Sequence, residues 1–299
     1  MTGKTMNWTH LIEERFPGLI AKVREDIEAS EKNFETQNGK TGSAESYLWE
    51  HTTHVASLAF RLALAEKHPP LIPTLAALFH DSGKFAGGNY HEENTIEEEE
   101  SAETAKRILG EAGIQPGELA KTLAGIKALY NEKSSKNSIA AIVHDADFLS
   151  KFGAMGIASF FTKATLRGRT IESAMLGYLS KELTYAACLP QNMRTAAGKK
   201  LAAQKARDTI GFFRKLLNDL RESGGVNLRI KRLRISDPRF RKRQLEILLA
   251  TSSECRLCGS SWQAAWFIED GVKCTKLNVE WHCAECGGSL DTSFCLPEV

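Results

Sequence analysis

Apolar residues recur at the three-to-four-residue spacing of amphipathic helices along most of the first 221 residues. The first such segment covers residues 7–35. After a polar, glycine-containing break the pattern resumes at Tyr47, and Ser46 is placed to cap the new helix. Pro69 and Pro70 end this helix, because proline lacks the backbone N–H that a helix interior needs. The pattern predicts a mostly α-helical amino-terminal region.

Further segments have one apolar face each and are separated by acidic or glycine-containing turns. They lie at residues 71–81, 101–113, 117–132, 138–164 and 194–221. The segment 138–164 is apolar enough to be one or two buried helices.

The pattern changes after the Ser-Gly-Gly run that follows the last of these helices. LRIKRLRI (228–235) alternates with a period of two, as a short strand does, and eight Lys or Arg residues fall between 229 and 243. We therefore expect three parts: a helical domain at 1–222 with its core at 44–221, a basic linker at 223–250, and a module with strand-like segments at 251–299.

Composition adds little except for an uneven distribution of charge. The chain is 42% apolar and 25% charged, as globular proteins are. No secretory leader or membrane-length apolar run is present, so we expect a cytoplasmic protein without membrane contact. Residues 1–150 carry 15 basic and 23 acidic side chains, whereas residues 151–299 carry 24 and 14. The basic half is compatible with a phosphate or nucleic-acid surface, or with an ordinary solvated one.

Histidine and aspartate are concentrated in a few segments of the helical region. EHTTHVA (50–56), ALFHDSGKF (77–85) and VHDADFL (143–149) contain them, and an acidic stretch occupies 91–103. Neutral imidazoles with hard carboxylates form a mixed nitrogen and oxygen shell for a divalent metal. Three packed helices can bring such side chains to one point.

These segments, in this order, resemble the HD-domain metal-dependent phosphohydrolase superfamily from about residue 44 to 221. The resemblance implies a mostly α-helical bundle with His51, His80, Asp81 and Asp145 as metal ligands. Asp147 is then expected to support its helix. The remaining candidates for contacts behind the ligands are His54, His91 and Glu97.

The chain departs from relatives that bind two metals through additional histidines. Leu129 and Tyr130 stand where one such histidine is often found, Glu97 stands where some relatives have another, and His91 is out of register. We therefore expect one divalent ion, with Mn, Fe, Co, Ni and Mg as candidates.

The implied chemistry is hydrolysis of a phosphate ester or phosphoanhydride by a metal-activated water. Asp81 would hold the ion and orient the water, and Lys84 would neutralise phosphate charge. Arg167 and Arg169 are weaker candidates for phosphate contacts. The expected substrate is a phosphorylated small molecule, a nucleotide above all.

The cysteines predict a second, structural metal site. Two Cys-x2-Cys pairs, Cys255 with Cys258 and Cys283 with Cys286, match the ligand spacing of a four-cysteine zinc ribbon. A glycine follows each pair and permits a tight turn. Cys274 and Cys295 fall outside the pairs and are expected to be packing residues.

The role of the carboxy-terminal module is left open by its sequence. Nucleic-acid binding, dimerisation and covering of the active-site mouth are all compatible with a zinc ribbon. Two other functions also remain: a nuclease guided by the basic linker and ribbon, and a non-catalytic nucleotide-binding scaffold.

Overall fold

The computed structural model describes residues 7–37, 46–86, 97–130, 136–166, 168–224, 228–236, 244–252, 258–270 and 275–296. Within these ranges the chain is mostly helical, as predicted. The helices are α1 (Trp8–Arg15), α2 (Leu19–Gln37), α3 (Tyr47–Ala65), α4 (Leu71–Phe79), α5 (Glu97–Glu111), α6 (Pro116–Lys127), α7 (Ser138–Ser150), α8 (Gly153–Leu166), α9 (Ile171–Asn192) and α10 (Ala196–Glu222). The strands are β1 (Leu228–Ser236), β2 (Gln244–Ser252), β3 (Trp262–Asp270), β4 (Thr275–Cys283) and β5 (Ser289–Cys295).

The chain divides into two compact units. Unit 1 comprises Met1–Ser150 with Met193–Gly198, and unit 2 comprises Lys151–Asn192 with Lys199–Val299. This division differs from the expected boundary near residue 222. Helical periodicity continues across residue 150, so the sequence gives no sign that the later helices build a different core.

Local signals set the helix boundaries of unit 1. Ser46 caps α3 as predicted, its hydroxyl accepting the Trp49 backbone N–H at 2.9 Å. The predicted segment 7–35 is two helices, because the chain turns at Gly18 with a φ of 80°. Gly113 closes α5 in the same left-handed region, at 73°.

The core of unit 1 is built around α3, which contacts both α4 and α7. Every residue of α4 except Ile72 is buried, and Val55, Leu75 and Ile142 are fully enclosed. Each such side chain contributes about 1.5–3 kcal/mol on burial. This packing fixes the relative positions of α3, the end of α4, and α7.

Unit 2 combines α8, α9 and most of α10 with the β1–β2 hairpin. Its core includes Met175, Leu183 and Phe213 from the helices and Leu228 and Leu248 from the strands. The segment expected to be a basic linker contains β1 and most of β2, which pair antiparallel. Leu228, Ile230 and Leu248 pack in the hydrophobic core.

A three-stranded antiparallel sheet of order β3-β4-β5 forms the carboxy-terminal part of unit 2. Alternate residues of β4, among them Leu277, Val279 and Trp281, are buried, as the pleat of a strand requires. Among the helices that the structure describes, none is long and apolar enough to cross a membrane.

Candidate metal centre

His80 lies immediately after α4 with its side chain fully buried. Its Nδ1 is 2.8 Å from the Ala77 carbonyl oxygen, which can only accept, so Nδ1 carries the proton. Nε2 therefore presents a lone pair, yet this buried atom has no hydrogen-bond partner among the described residues. Buried polar atoms are nearly always paired, so this nitrogen fits a metal ligand.

His51 on α3 and Asp81 after α4 face the same point. One ligand atom each from His51, His80 and Asp81 lies within 4.8 Å of the others. The His51 Nε2 is 3.6 Å from an Asp81 carboxylate oxygen. The structure thus brings together three of the four ligands expected from the sequence.

Asp147 on α7 completes the group from the opposite side. Its Oδ1 is 3.3 Å from the His51 Nε2 and 4.0 Å from the His80 Nε2. Its Oδ2 accepts a hydrogen bond of 2.6 Å from the Tyr130 hydroxyl. One carboxylate oxygen therefore faces the histidines while the other is held by a tyrosine.

Asp145, the fourth ligand expected from the sequence, contacts a different part of the chain. Its carboxylate accepts the backbone N–H groups of Arg194 at 2.9 Å and Thr195 at 2.8 Å, and the Thr195 hydroxyl at 2.7 Å. It thereby holds the segment that begins α10. Residues two apart on a helix point about 200° apart, so only one of the two aspartates can face α3.

The charges around Asp81 favour its ionised form. Burial alone would raise the pKa of Asp81, but its electrostatic interactions with His80, Lys84 and His51 outweigh burial and hold the pKa below its ordinary value. The Lys84 Nζ lies 2.8 Å from Asp81 Oδ2. Lys84 is therefore an ion-pair partner of a proposed ligand at the rim of the group.

The neighbouring groups stay neutral. Burial lowers the pKa of His51, which favours the neutral imidazole that binds metals. Tyr130 leaves 46% of its surface exposed, but its hydroxyl contacts the buried Asp147. Burial, followed by the charges of Asp147 and Asp81, raises the pKa of Tyr130 well above its ordinary value, so it remains a donor.

The start of α5 is fixed against the turn that carries His80 and Asp81. The Ser101 hydroxyl donates to the His80 carbonyl oxygen at 3.0 Å and accepts the Gly83 N–H at 2.9 Å. Sequence reasoning missed both Ser101 and the contact of Tyr130. No sequence pattern identifies Ser101 as a functional residue. Tyr130 is distinguished in the sequence only because it stands where some relatives have a histidine.

The other residues expected to contact the ligands or the substrate lie in different parts of the chain. His54 lies on α3 and Glu97 in the first turn of α5, both half-buried. Arg169 is in unit 2, where its guanidinium carbon lies 4.3 Å from the Tyr178 ring centroid. His91 and Arg167 lie outside the described residues.

The carboxy-terminal sheet holds a separate group of cysteines. One sulfur atom each from Cys258, Cys283 and Cys286 lies within 4.8 Å of the others. Gly259 and Gly287 have φ values of 76° and 68°, as the predicted turns require. Cys255 and Cys274 lie outside the described residues. Cys295 is disulfide-bonded, so the expectation that it is a packing residue is corrected.

Residues 48–151 match the sequence model of the family described as HD domain. The match runs from α3 to the residue after α7, and it contains His51, His80, Asp81, Tyr130 and Asp147. The chain has no match among curated proteins. The match supports a metal-dependent hydrolase in general.

Solved structures resemble the chain at the level of the fold. A predicted HD superfamily hydrolase from an uncultured Thermotogales bacterium is 21% identical, with a TM-score of 0.50, covering 72% of this chain and 99% of that one. Bacillus subtilis YpgQ in complex with ADP is 20% identical, with a TM-score of 0.48 and coverages of 67% and 97%. An HD-superfamily hydrolase from Bacillus thuringiensis is 22% identical, with a TM-score of 0.47 and coverages of 67% and 97%.

Proposed function

We propose that unit 1 is a metal-dependent phosphohydrolase whose single divalent ion is held by His51, His80, Asp81 and Asp147. The observation that carries the proposal is the His80 Nε2. Within the part of the chain that the structure describes, this buried nitrogen has no hydrogen-bond partner, and it faces two carboxylates and a second imidazole. Two neutral nitrogens and two carboxylates suit Mn, Fe, Co, Ni or Mg better than a soft metal.

The fit of these residues to a metal can be judged from their other contacts. His80 is oriented by the Ala77 carbonyl and Asp147 by the Tyr130 hydroxyl. Carbonyl and hydroxyl partners of this kind fix the rotamers of metal-binding side chains and tune their basicity. When bound, a divalent ion lowers the pKa of a coordinated water and polarises a phosphoryl oxygen.

Three side chains would accept the proton, contact the phosphate and keep the site rigid. Asp81 has two oxygens, so one can bind the ion while the other accepts a proton from the attacking water. Lys84 contacts Asp81 and keeps 22% of its side chain exposed, so its ammonium can also meet a phosphate oxygen. Asp147, enclosed and held by Tyr130, keeps the site rigid during the reaction.

We propose a phosphorylated small molecule, a nucleotide above all, as the substrate. The support is the HD-domain match over the site together with the partly exposed Lys84 ammonium beside it. A nuclease remains the alternative within the same chemistry. Its support is the cationic strand β1, on which Arg229, Lys231, Arg232 and Arg234 are exposed.

The test is hydrolysis by metal-stripped, full-length protein reloaded with each candidate metal. An aryl phosphodiester, a panel of nucleoside phosphates and a labelled single-stranded oligonucleotide serve as substrates, with Asp81→Ala as control. We expect metal-dependent turnover that the control lacks, fastest on a nucleoside phosphate. Preference for the oligonucleotide would favour the nuclease. Absence of turnover in folded, metal-loaded protein would overturn the phosphohydrolase and favour a binding scaffold.

A further inference from the structure

The three clustered cysteines come from separate points of the carboxy-terminal sheet. Cys258 precedes β3, Cys283 ends β4, and Cys286 lies in the turn before β5. Cys283 is buried, and Cys258 and Cys286 are exposed. The sulfur atoms of Cys258 and Cys283 are 3.4 Å apart, and all three fall within 4.8 Å.

These distances suit a tetrahedral thiolate site. With zinc–sulfur bonds of about 2.3 Å, tetrahedral geometry separates neighbouring sulfur atoms by about 3.8 Å. A disulfide does not account for the group, because pairing any two of the three thiols leaves the third beside the bond. Three convergent thiols are a metal-binding arrangement in a chain whose other ligand group is made of nitrogen and oxygen atoms.

The backbone around the cysteines is shaped to present their side chains. The Gly287 N–H donates to the Cys283 carbonyl oxygen at 3.0 Å, and the Cys283 N–H donates to the Gly288 carbonyl oxygen at 2.9 Å. Gly287 supplies the positive φ that this tight loop needs. The loop thus turns back on β4 and brings Cys286 beside Cys283.

We propose that Cys258, Cys283 and Cys286 bind a structural zinc ion that ties the start of β3 to the β4–β5 turn, with one further ligand completing the tetrahedron. This site is independent of the hydrolytic ion. Soft thiolates select zinc, whereas the imidazole and carboxylate group of unit 1 suits harder ions. The ligand chemistry of each site therefore favours a different metal ion.

The size of the sheet explains why it would need a metal. Its buried apolar side chains among the described residues are few, chiefly Leu277, Val279, Trp281 and Phe294. A sheet this small gains little from apolar burial, so a metal cross-link between its ends supplies much of its stability. Removal of zinc should loosen β3–β5 and leave the α-helical content unchanged.

The test measures zinc content in full-length protein after reduction, zinc loading and dialysis. The Asp81→Ala background removes the ion of unit 1, and Cys286→Ser and Cys283→Ser each remove one thiolate. Cys188→Ser is the matched control, because Cys188 lies on α9, outside the cluster. We expect about one zinc per chain in Asp81→Ala and in its Cys188→Ser derivative, and loss of that zinc in the other two.

Cobalt substitution gives a second readout that does not depend on replacing a cysteine. Thiolate ligation of cobalt produces an intense near-ultraviolet charge-transfer absorption. We expect this band in the Asp81→Ala protein, with the intensity that three or four thiolate ligands produce. The proposal is overturned if the band is missing from folded protein, or if Cys286→Ser retains zinc as firmly as its parent. Cys286 is exposed, so its replacement by serine removes no core side chain.

Discussion

Asp145 and Asp147 lie two residues apart on α7, yet their carboxylates contact different partners. Asp147 faces His51 and His80, whereas Asp145 holds the Arg194 and Thr195 backbone. By family resemblance, the chain's Asp-Ala-Asp motif predicts Asp145 as the ligand and Asp147 as the residue that supports the helix. Which carboxylate faces the histidines depends on the rotation of α7 against α3, which only tertiary packing sets.

Substitution of the two aspartates should separate their roles. Asp147→Asn should lower metal affinity about 100-fold or more and abolish turnover, because it removes a charged ligand from the site. Asp145→Asn should leave metal affinity nearly unchanged but lower the free energy of unfolding by about 1–3 kcal/mol, because it places an amide against backbone donors. Metal titration and urea unfolding of both variants distinguish these outcomes. The reverse pattern would restore Asp145 as the ligand.

Tyr130 should act through Asp147. We expect Tyr130→Phe to lower metal affinity about 10–100-fold, because the Asp147 oxygen loses the donor that fixes its orientation. At saturating metal, much of the turnover should return. Metal titrations of activity measure both effects. Tyr178→Phe is the matched control, since Tyr178 lies in unit 2. Equal metal affinity in the two variants would contradict this role for Tyr130.

At the scale of elements, caps and breaks were predictable and contacts between elements were not. Ser46, Gly113 and the turn glycines beside the cysteines act as their local sequence indicates. For residues 223–250 the sequence predicts a basic linker with a short strand at 228–235, because the charged residues there outnumber the alternating apolar ones. The packing of α5 against the His80–Asp81 turn could not be predicted from the sequence. It depends on the close approach of the α5 backbone to Gly83.

Gly83 should tolerate no larger residue. A Cβ at this position would lie 2.4 Å from the Ser101 backbone nitrogen and 2.7 Å from the Glu97 carbonyl oxygen. Gly83→Ala should therefore cost about 1–3 kcal/mol of stability and reduce turnover by displacing the turn that carries two ligands. Gly110→Ala, within α5 and with open space around the added Cβ, should instead stabilise the fold by about 0.5–1 kcal/mol. Thermal unfolding and kcat of the pair provide the measurement, and equal stability of both variants would contradict the close approach.

At the scale of the whole molecule, the fold class was predictable but the division into units was not. Helical periodicity and the order of the His and Asp segments indicated a helical bundle, and the structure confirms it. The division places α8 and α9 with the strands of the carboxy-terminal half. This follows from which apolar faces meet, as Met175 and Leu183 meet Leu248 in one core.

The pH dependence of stability should contain a contribution from Glu182 on α9. Burial raises its pKa, with partial compensation by Lys181, Lys163 and Lys151. As pH rises, the folded state therefore keeps the Glu182 proton to a higher pH than the unfolded state does. The free energy of unfolding decreases as pH rises through the pKa of the folded state. Glu182→Gln should be more stable than wild type at pH 8, and the difference should vanish near pH 4. Urea unfolding at both pH values, beside the exposed control Glu222→Gln, tests this sign. A variant less stable than wild type at pH 8 would contradict it.

The central claim is that a divalent ion binds at the His80 Nε2 in unit 1. The most direct measurement is manganese binding to metal-stripped, full-length protein, counted by electron paramagnetic resonance in wild type and in His80→Ala, with His51→Ala as a second variant. Thiolates bind manganese weakly, so the cysteine group does not interfere. We predict about one manganese per wild-type chain and loss of that site in both folded variants. Manganese binding that is unchanged in both variants would contradict the account.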